Sequence, residues 1–535
     1  MSAKYKGMGG WCLALLFSVA GLMAADNDLR LVETVKSQDQ AAVRSLLEEN
    51  VDVNTPQADG ATALAWAAYR DDLETADLLI RAGADLNAAN DYGVTPLSLA
   101  CTNRNAAMVE KLLEAGADPN AAQWTGETPL MTCSSTGAVE AVKSLLAHGA
   151  DVNAAETQEG QTALMWAAAE KHPEIVRTLL EHGADVHARS NVIPLPEPFL
   201  IETPGPLGFN HPTTVHFPKT KGGFTPLLFA AQQGDVDSAR ILLEAGAEVN
   251  EATAENGSVL VVATASGHEE LAVFLLEQGA DPNATDGFGI SAMHYALHEG
   301  LLTLMGAKRS STDRFGWLRP NMPELVKTLL AHGADPNARI GKNFPTLDDP
   351  FLGRSTEDAP QLDPVGATPF MLAAASGDIE AMRILVEGRA DPRATTLGGV
   401  TPLMVAAGMG TELSRRGEKS ALAATQLALE LGGDVNAPID DDGRTPLHAA
   451  AYLGWNEMIR FLAEKGANLD TKDKYGQTPL SIALGDPEGL VYRQITGGRY
   501  DDRFRRPRAH KESAELLVQL GATPFTGKVR SRSGE

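Results

Sequence analysis

Apolar residues recur along this chain in pairs of short helical stretches that are separated by glycine-rich turns. Each pair opens with a phrase close to G-x-T-P-L-x-x-A-A-x-x-G and ends in G-A-D-x-N, and uninterrupted copies lie about 33 residues apart. This period is the one expected of a turn followed by two short antiparallel helices. The phrase opens at eleven glycines: Gly60, Gly93, Gly126, Gly160, Gly223, Gly257, Gly289, Gly366, Gly399, Gly443 and Gly476.

The unit that opens at Gly93 shows why each residue type recurs. Gly93 suits a turn because glycine adopts positive φ without strain. Thr95 is a typical N-cap, and Pro96 follows at the first helical position, where a missing N–H does no harm. A second helix over residues 108–113 has apolar residues at helical spacing, and Gly116 ends it. One unit cannot bury its own apolar face, so the units must stack.

The phrases GRTPLHAA at 443–450 and GADVN at 149–153 resemble the ankyrin repeat family, and related phrases cover most of residues 28 to 525. The resemblance implies an all-α ankyrin-repeat solenoid, in which helix-turn-helix units stack and hairpin fingers project from one side. It also implies a protein-binding scaffold without catalytic activity, and leaves the identity of the bound protein open.

The organisation along the chain follows from where the period is kept and where it breaks. We expect repeats over 59–190, 222–339 and 366–525, preceded by a capping helix pair at 26–58 and followed by a tail at 526–535. Finger insertions are expected at 191–221, which is rich in proline, and at 340–365. Insertions between the two helices of a unit are expected at 301–320, 411–420 and 486–509.

Residues 1–25 have the pattern of a secretory signal peptide. Lys4 and Lys6 give a basic start, an apolar run covers 11–20, and small residues near Ala25 suit a cleavage site. An uncleaved anchor is the alternative, although the uncharged stretch is short for a bilayer span. We predict a cleaved, periplasmic or secreted protein, so that the whole chain resembles an exported, bacterial-type ankyrin-repeat protein.

The acidic composition restricts the choice of partners. The net charge of −25 would become about −27 once Lys4 and Lys6 were removed with the leader. Such a surface repels nucleic acid and anionic lipid. We therefore expect a monomer that binds another protein, favours a basic one, and neither binds nucleic acid nor inserts into a membrane after cleavage.

Cys101 and Cys133 occupy small Ala-type positions in the first helices of adjacent units. A disulfide between the units is open to an exported protein. We favour buried free thiols instead, since stacked helices stand about 8–10 Å apart and a disulfide needs Cα atoms within about 7 Å.

Chemical motifs are weak. His294 and His298 have a spacing that can chelate a metal, but His294 also occupies the histidine position of the T-P-L-H phrase. No nucleotide-binding or catalytic motif occurs in a suitable context, so we predict no cofactor, no metal and no enzyme activity. The arginine-rich loop at 493–508 is equally well interpreted as a docking patch or as a solvated loop.

The remaining candidates are surface residues at the finger tips and at the variable positions after Ala-Ala. Trp124 is the strongest single candidate, because aromatic residues are enriched in binding hot spots. We predict an exported interaction scaffold, and as an alternative an accessory protein or inhibitor-like regulator of an exported enzyme. The predicted binding residues are Tyr69, Arg70, Tyr92, Trp124, Phe224, Gln232, Gln233, Phe288, His298, Glu299, Tyr452 and Tyr475.

Overall fold

The computed structural model describes residues 28–194, 200–204, 210–214, 220–304, 319–341, 364–409, 417–440, 443–485 and 509–524. The chain divides into two compact units. The first unit comprises Met1–Ile193 and Lys221–Thr253, and the second comprises Pro194–Thr220 and Ala254–Glu535.

The described part of the first unit consists almost entirely of helix pairs. Apart from the pair α1–α2, each pair has a first helix that follows a T-P or T-A phrase and a second helix that ends before G-A-D or, after α12, G-A-E. The helices are α1 Arg30–Lys36, α2 Gln40–Glu48, α3 Ala63–Tyr69, α4 Leu73–Arg81, α5 Pro96–Thr102, α6 Ala106–Glu114, α7 Pro129–Thr136, α8 Val139–Ala147, α9 Ala163–Ala169, α10 Pro173–Glu181, α11 Pro226–Gln233 and α12 Val236–Glu244.

Among its described residues, the second unit repeats this arrangement and has a further helix, α16, between the two members of a pair. Its described helices are α13 Val259–Ala265, α14 Glu269–Glu277, α15 Ala292–Ala296, α16 His298–Leu304, α17 Pro323–Ala331, α18 Pro369–Ser376, α19 Ile379–Glu387, α20 Pro402–Ala406, α21 Glu418–Glu430, α22 Pro446–Leu453, α23 Asn456–Glu464, α24 Pro479–Ala483 and α25 Lys511–Gln519.

Strands are a minor component of the described residues. They are β1 Ile193–Pro194, β2 Leu200–Pro204, β3 Asn210–Thr214, β4 Thr220–Lys221, β5 Ala252–Thr253 and β6 Gly257–Ser258. β2 and β3 pair antiparallel, with Leu200 opposite Thr214 and Pro204 opposite Asn210. The proline-rich insertion therefore contains a β-hairpin.

Within each unit the helices stack in two rows. In the first unit, first helices pack on first helices in the order α1, α3, α5, α7, α9 and α11, and α10 packs on α12 in the row of second helices. In the second unit α16 packs on α18, where a Cβ added at Gly300 would lie 2.0 Å from the Leu372 carbonyl oxygen. The predicted all-α stack of helix pairs is confirmed.

The T-P phrase starts a first helix as its chemistry predicts, as at α5. Thr95 has extended backbone angles, and its Oγ1 accepts the backbone N–H of Ser98 at 3.3 Å. Pro96 takes the first helical position. Second helices are often capped by Asp or Asn instead, as where Asp72 accepts the N–H of Thr75 at 3.0 Å. Each cap satisfies a helix N–H that has no partner within the helix.

The turn glycine Gly93 has two roles in its finger. Gly93 has φ of +78°, which side chains other than glycine adopt only with strain. A Cβ at this position would also lie 2.9 Å from the Cα of Gln123 in the next finger. Glycine therefore permits both the turn and the close stacking of fingers.

The asparagine of G-A-D-x-N, and Asn54 in the related phrase N-V-D-V-N, joins one repeat to the next. Asn54 Oδ1 accepts the backbone N–H of Asp85 at 2.7 Å, and its Nδ2 donates to the carbonyl of Gly83 at 3.3 Å. Asn120 makes the same two bonds to Asp151 and Gly149. The sequence does not predict these bonds, because the partners of the asparagine lie one whole period away.

An arginine closes the base of each finger insertion. Arg189 donates from Nη1 to the carbonyls of Gly223 at 3.0 Å and Ala252 at 3.2 Å. Arg339, at the equivalent position before the second insertion, donates to Gly366 at 3.3 Å and Thr395 at 2.7 Å. The two ends of each insertion are thereby held together within the stack.

The interpretation of Cys101 and Cys133 as free thiols is wrong, since the two residues form a disulfide between α5 and α7. Their Cα atoms lie 4.6 Å apart, and both side chains are fully buried. The distance between helix axes and the distance between Cα atoms are two different quantities. Helix axes about 8–10 Å apart bring facing Cα atoms much closer, because each Cα lies about 2.3 Å from its own axis.

Several predicted segments lie outside the described residues. These are the leader at 1–25, the arginines of the loop at 493–508, and the tail at 526–535. Most of the insertion at 340–365 lies outside them as well, as do 305–318 of the insertion at 301–320 and 411–416 of the insertion at 411–420. Residues 301–304 are described, and they form the buried end of α16.

Candidate docking surface

Four neighbouring fingers of the first unit stack through their backbones. The finger segments are residues 57–60, 89–93, 121–127 and 154–161. Asp91 donates its N–H to the carbonyl of Asp59 at 2.9 Å, and Trp124 donates to Tyr92 at 3.2 Å. Thr157 continues the series by donating to Thr125 at 2.9 Å. We call this row of four fingers the fingertip strip.

The fingertip strip presents two large aromatic side chains to solvent. Trp124 is 70% exposed and Tyr92 is 53% exposed. Trp124 lies two residues before its turn glycine, and its backbone N–H donates to the Tyr92 carbonyl of the preceding finger. The same position in that finger is occupied by the exposed Asp91. The position therefore accepts a polar residue, and stacking of the fingers does not require a tryptophan there.

A second aromatic group lies on α3, the helix that follows the finger at 57–60. Trp66 Nε1 donates to Gln57 Oε1 at 2.8 Å, and its ring meets Tyr69 edge-on at 5.6 Å. Lys36 lies over the Trp66 ring at 4.8 Å. Tyr69 is 45% exposed, and the predicted binding residue Arg70 next to it is also exposed.

The other predicted binding residues of the first unit are less accessible. Phe224 is half-buried against Phe229, with ring centroids 5.3 Å apart, and its backbone N–H donates to Ser190 Oγ at 3.0 Å. Gln232 and Gln233 are half-buried at the end of α11. Tyr69, Arg70, Tyr92 and Trp124 are thus the exposed members of the predicted set in this unit.

The predicted binding residues of the second unit are half-buried without exception: Phe288, His298, Glu299, Tyr452 and Tyr475. His298 and Glu299 open α16, whereas the repeat phrase predicts them at the variable positions after Ala-Ala in a first helix. The N–H of Glu299 donates to Asn321 Oδ1 at 3.1 Å, so this segment is built into the stack. Lys474 lies over the Tyr475 ring at 5.2 Å.

Leu397 is an exposed fingertip residue that we did not predict. It is 74% exposed, and its N–H donates to the carbonyl of Val365 at 3.1 Å. It lies two residues before Gly399, as Trp124 does before Gly126. Counting back from each turn glycine would have identified both residues, since this spacing is visible in the sequence.

The fingertip strip is also acidic. Its four segments contain Asp59, Asp91, Glu127, Glu156 and Glu159, and neither lysine nor arginine. Glu156 is buried and accepts the N–H groups of Gln158, Glu159 and Gln161 at 2.7–3.0 Å. Burial raises the pKa of Glu127, with a smaller contribution from Glu156. Asp59 and Asp91 remain exposed to solvent.

His294 is a helix cap in this structure. Its Nδ1 accepts the backbone N–H of Ser291 at 3.2 Å, and its Nε2 lies 3.1 Å from the carbonyl oxygen of Ala338. Both ring nitrogens are therefore occupied, which leaves none for a metal ion. Among the described residues no group of three His, Cys, Asp or Glu side chains is arranged to hold one.

None of the helices that the structure describes is both long enough and apolar enough to cross a bilayer.

Comparison with known proteins identifies the repeats. The family model described as "Ankyrin repeats (3 copies)" matches residues 31–123, 120–190, 207–286, 318–415 and 417–491. An Arabidopsis thaliana protein described as E3 ubiquitin-protein ligase KEG is 27% identical over 278 residues, which cover 49% of this chain and 16% of that protein. The human palmitoyltransferase ZDHHC13 is 24% identical over 269 residues, or 50% of this chain and 34% of that protein.

A protein of Stachybotrys chartarum, described as ankyrin repeat domain-containing protein SAT10, is 26% identical over 322 residues. That match covers 56% of this chain and 16% of the relative. This chain therefore spans about a third or less of the length of these curated relatives. Because the family model covers well over half of the sequence, the chain belongs to the ankyrin repeat family.

Proposed function

We propose that this ankyrin repeat protein is an exported, bacterial-type, non-catalytic scaffold that binds another protein through its fingers and first helices. Ankyrin repeats typically bind other proteins. The observation that carries the proposal is the exposure of Trp124 and Tyr92 on adjacent fingertips. Aromatic residues at accessible positions are typical anchors of protein interfaces.

Two features support the exported location. The first is the signal-like pattern of residues 1–25, which lie outside the described residues. The second is the disulfide between Cys101 and Cys133, because such bonds persist in oxidising compartments and are rare in the cytosol. We propose a monomer in the periplasm or outside the cell.

A native N-terminus near Ala25 is the expected result if the protein is exported with cleavage. Protein purified from the cells that produce it would be digested, and its N-terminal peptide identified by mass spectrometry. Recovery of peptides that contain Met1 to Trp11 from the mature protein would contradict cleavage and favour an anchor. An untagged sample is needed, because an added N-terminal tag would replace the segment under test.

A second function is suggested by the hairpin β2–β3 within the first finger insertion. A projecting hairpin can enter a cleft of another protein. An accessory or inhibitor-like regulator would use it to reach the active site of an exported enzyme. Both functions involve a protein partner, and they differ in whether binding changes the activity of that partner.

Deletion of Pro194 to Pro218 should leave the stack folded and abolish retrieval of the native partner. The base of the insertion stays closed, because Ser190 donates to the Phe224 carbonyl at 2.9 Å and Arg189 contacts Gly223. Surface insertions also contribute little to folding free energy. Unchanged helical circular dichroism would establish folding, and affinity capture from the native compartment would measure retrieval. Equal recovery of the partner would contradict a recognition role for this insertion.

A further inference from the structure

We propose that the fingertip strip binds a basic segment of another protein, and that a lysine or arginine of that segment lies on the ring of Trp124. The proposal rests on the proposed function of protein binding and specifies the chemistry of the bound segment. It concerns residues 57–60, 89–93, 121–127 and 154–161, all within the first unit.

Trp124 and Tyr92 are exposed, and the fold does not require an aromatic residue at the position of Trp124. Trp124 is 70% exposed at a position where the adjacent finger carries Asp91, and Tyr92 is 53% exposed one finger away. Two neighbouring exposed aromatic rings form a surface that loses unfavourable contact with water when it is covered. The backbone bond from Trp124 to Tyr92 keeps the two fingers adjacent.

The acidic fingertip strip is complementary in charge to a basic segment. Asp59 and Asp91 are exposed on the strip, and its four segments contain no basic residue. Glu159 is paired with Lys221 at 2.9 Å. Asp91 directly precedes Tyr92, in the finger whose Tyr92 carbonyl accepts the N–H of Trp124. A cation can contact a tryptophan face and a carboxylate together, and tryptophan is the best aromatic partner for a cation. An acidic or neutral segment would lack both contacts.

The disulfide holds the two aromatic fingers in place before a partner binds. α5 begins three residues after Gly93 and α7 begins three residues after Gly126, so each follows one of the two aromatic fingers directly. The disulfide joins these two helices, with Cα atoms 4.6 Å apart. A surface held in its binding arrangement loses less entropy on association. The covalent bond therefore favours binding at the fingers that carry the aromatic pair.

The test uses a fluorescently labelled peptide of alternating arginine and glycine, and the same peptide with citrulline in place of arginine. Citrulline has nearly the same shape but no charge. We expect the arginine peptide to bind the full chain, the citrulline peptide to bind at least tenfold more weakly, and added salt to weaken the arginine peptide. Anisotropy titrations would measure the Kd values. Equal binding of the two peptides, or no binding of either, would overturn the proposal.

Matched variants locate the site. Trp124→Ala should raise the Kd of the arginine peptide by about tenfold, and Asp91→Asn by about two- to threefold. Leu397→Ala is the control, because Leu397 occupies the same fingertip position and is similarly exposed, but the adjacent segments 364–366 and 394–399 contain no carboxylate. Equal effects of Trp124→Ala and Leu397→Ala would show non-specific binding and contradict the assignment.

The outcome for the fingertip strip can be separated from that for the proposed function. If the peptide fails these tests while the native partner is still captured, the assignment of a basic segment to the strip is wrong and the scaffold function stands. If Trp124→Ala weakens both the peptide and the captured partner, the strip is the docking site for that partner. Circular dichroism would show that each variant is folded, as expected for changes at exposed side chains.

Discussion

Replacement of both Cys101 and Cys133 by alanine should lower the free energy of unfolding of the surrounding repeats by about 3–4 kcal/mol. The disulfide links residues that are 32 apart in sequence. In the loop-entropy model, a crosslink over such a distance removes about this much conformational freedom from the unfolded chain. Alanine fits both sites, because other units have it at the same positions, as at Ala67 and Ala68.

Urea unfolding of the oxidised chain, the reduced chain and the double variant would measure this effect. Reductant should lower the stability of the natural chain and leave the double variant unchanged, which makes the variant its own control. Mass spectrometry after alkylation in denaturant without reductant should show both cysteines protected. Labelling of Cys101 and Cys133 under these conditions, or an unchanged urea midpoint on reduction, would contradict the prediction.

The disulfide also links stability to recognition in a testable way. Its two helices follow the fingers of Tyr92 and Trp124, so reduction would loosen the repeats that carry the exposed rings. A partner that binds at this strip would then meet a less ordered surface and bind more weakly. A partner that binds elsewhere would not respond to the redox state of these two cysteines.

The helix caps and turns were predictable from the sequence, because the residues that form each of them lie within one repeat. Thr95, Pro96 and Gly93 take the cap, first-turn and positive-φ roles that their residue types favour. The fold followed, since every repeat needs a neighbour to cover its apolar face.

Contacts between repeats were harder to predict. The bond from Asn54 to Asp85 and the bond from Trp124 to Tyr92 depend on the exact offset of one unit from the next. The cysteine pair depended on a Cα separation that helix spacing alone does not give. α16 was missed for another reason. His298 and Glu299 fill the two variable positions before the last glycine of the repeat phrase, so the sequence reads as one helix and hides the break at Leu297.

Exposure separated the candidate binding residues more sharply than residue type had done. Tyr92 and Phe288 both immediately precede a turn glycine, yet Tyr92 is exposed and Phe288 is half-buried. Trp124 and Leu397 share a position two residues before the glycine, where the backbone is bonded to the preceding finger. The sequence thus identified most of the candidates, and the stacking of fingers selects among them.

Acidification should destabilise the second unit between about pH 6.5 and pH 4 through its buried histidines. Burial lowers the pKa of His294 to about 4, and it also lowers the pKa of His448. Unfolded histidine binds its proton near pH 6.5. The unfolded chain therefore holds more protons across this interval, and stability is lost as the pH falls. For His294 the full loss is about 3 kcal/mol, at about 1.4 kcal/mol for each pKa unit.

His294→Met is the matched variant, because methionine occupies the equivalent position in other units. Met404 even accepts the N–H of Thr401 through Sδ at 3.4 Å, as His294 Nδ1 accepts that of Ser291. The variant should lose a few tenths to about 1 kcal/mol at pH 7, since the bond to the Ala338 carbonyl disappears. Its stability should then fall less steeply than that of the natural chain below pH 6.5. Hydrogen exchange of the segments around 291–304, corrected for intrinsic rates, would measure both slopes. Identical slopes would mean that His294 is protonated in the folded state at the same pH as in the unfolded chain, which its burial opposes.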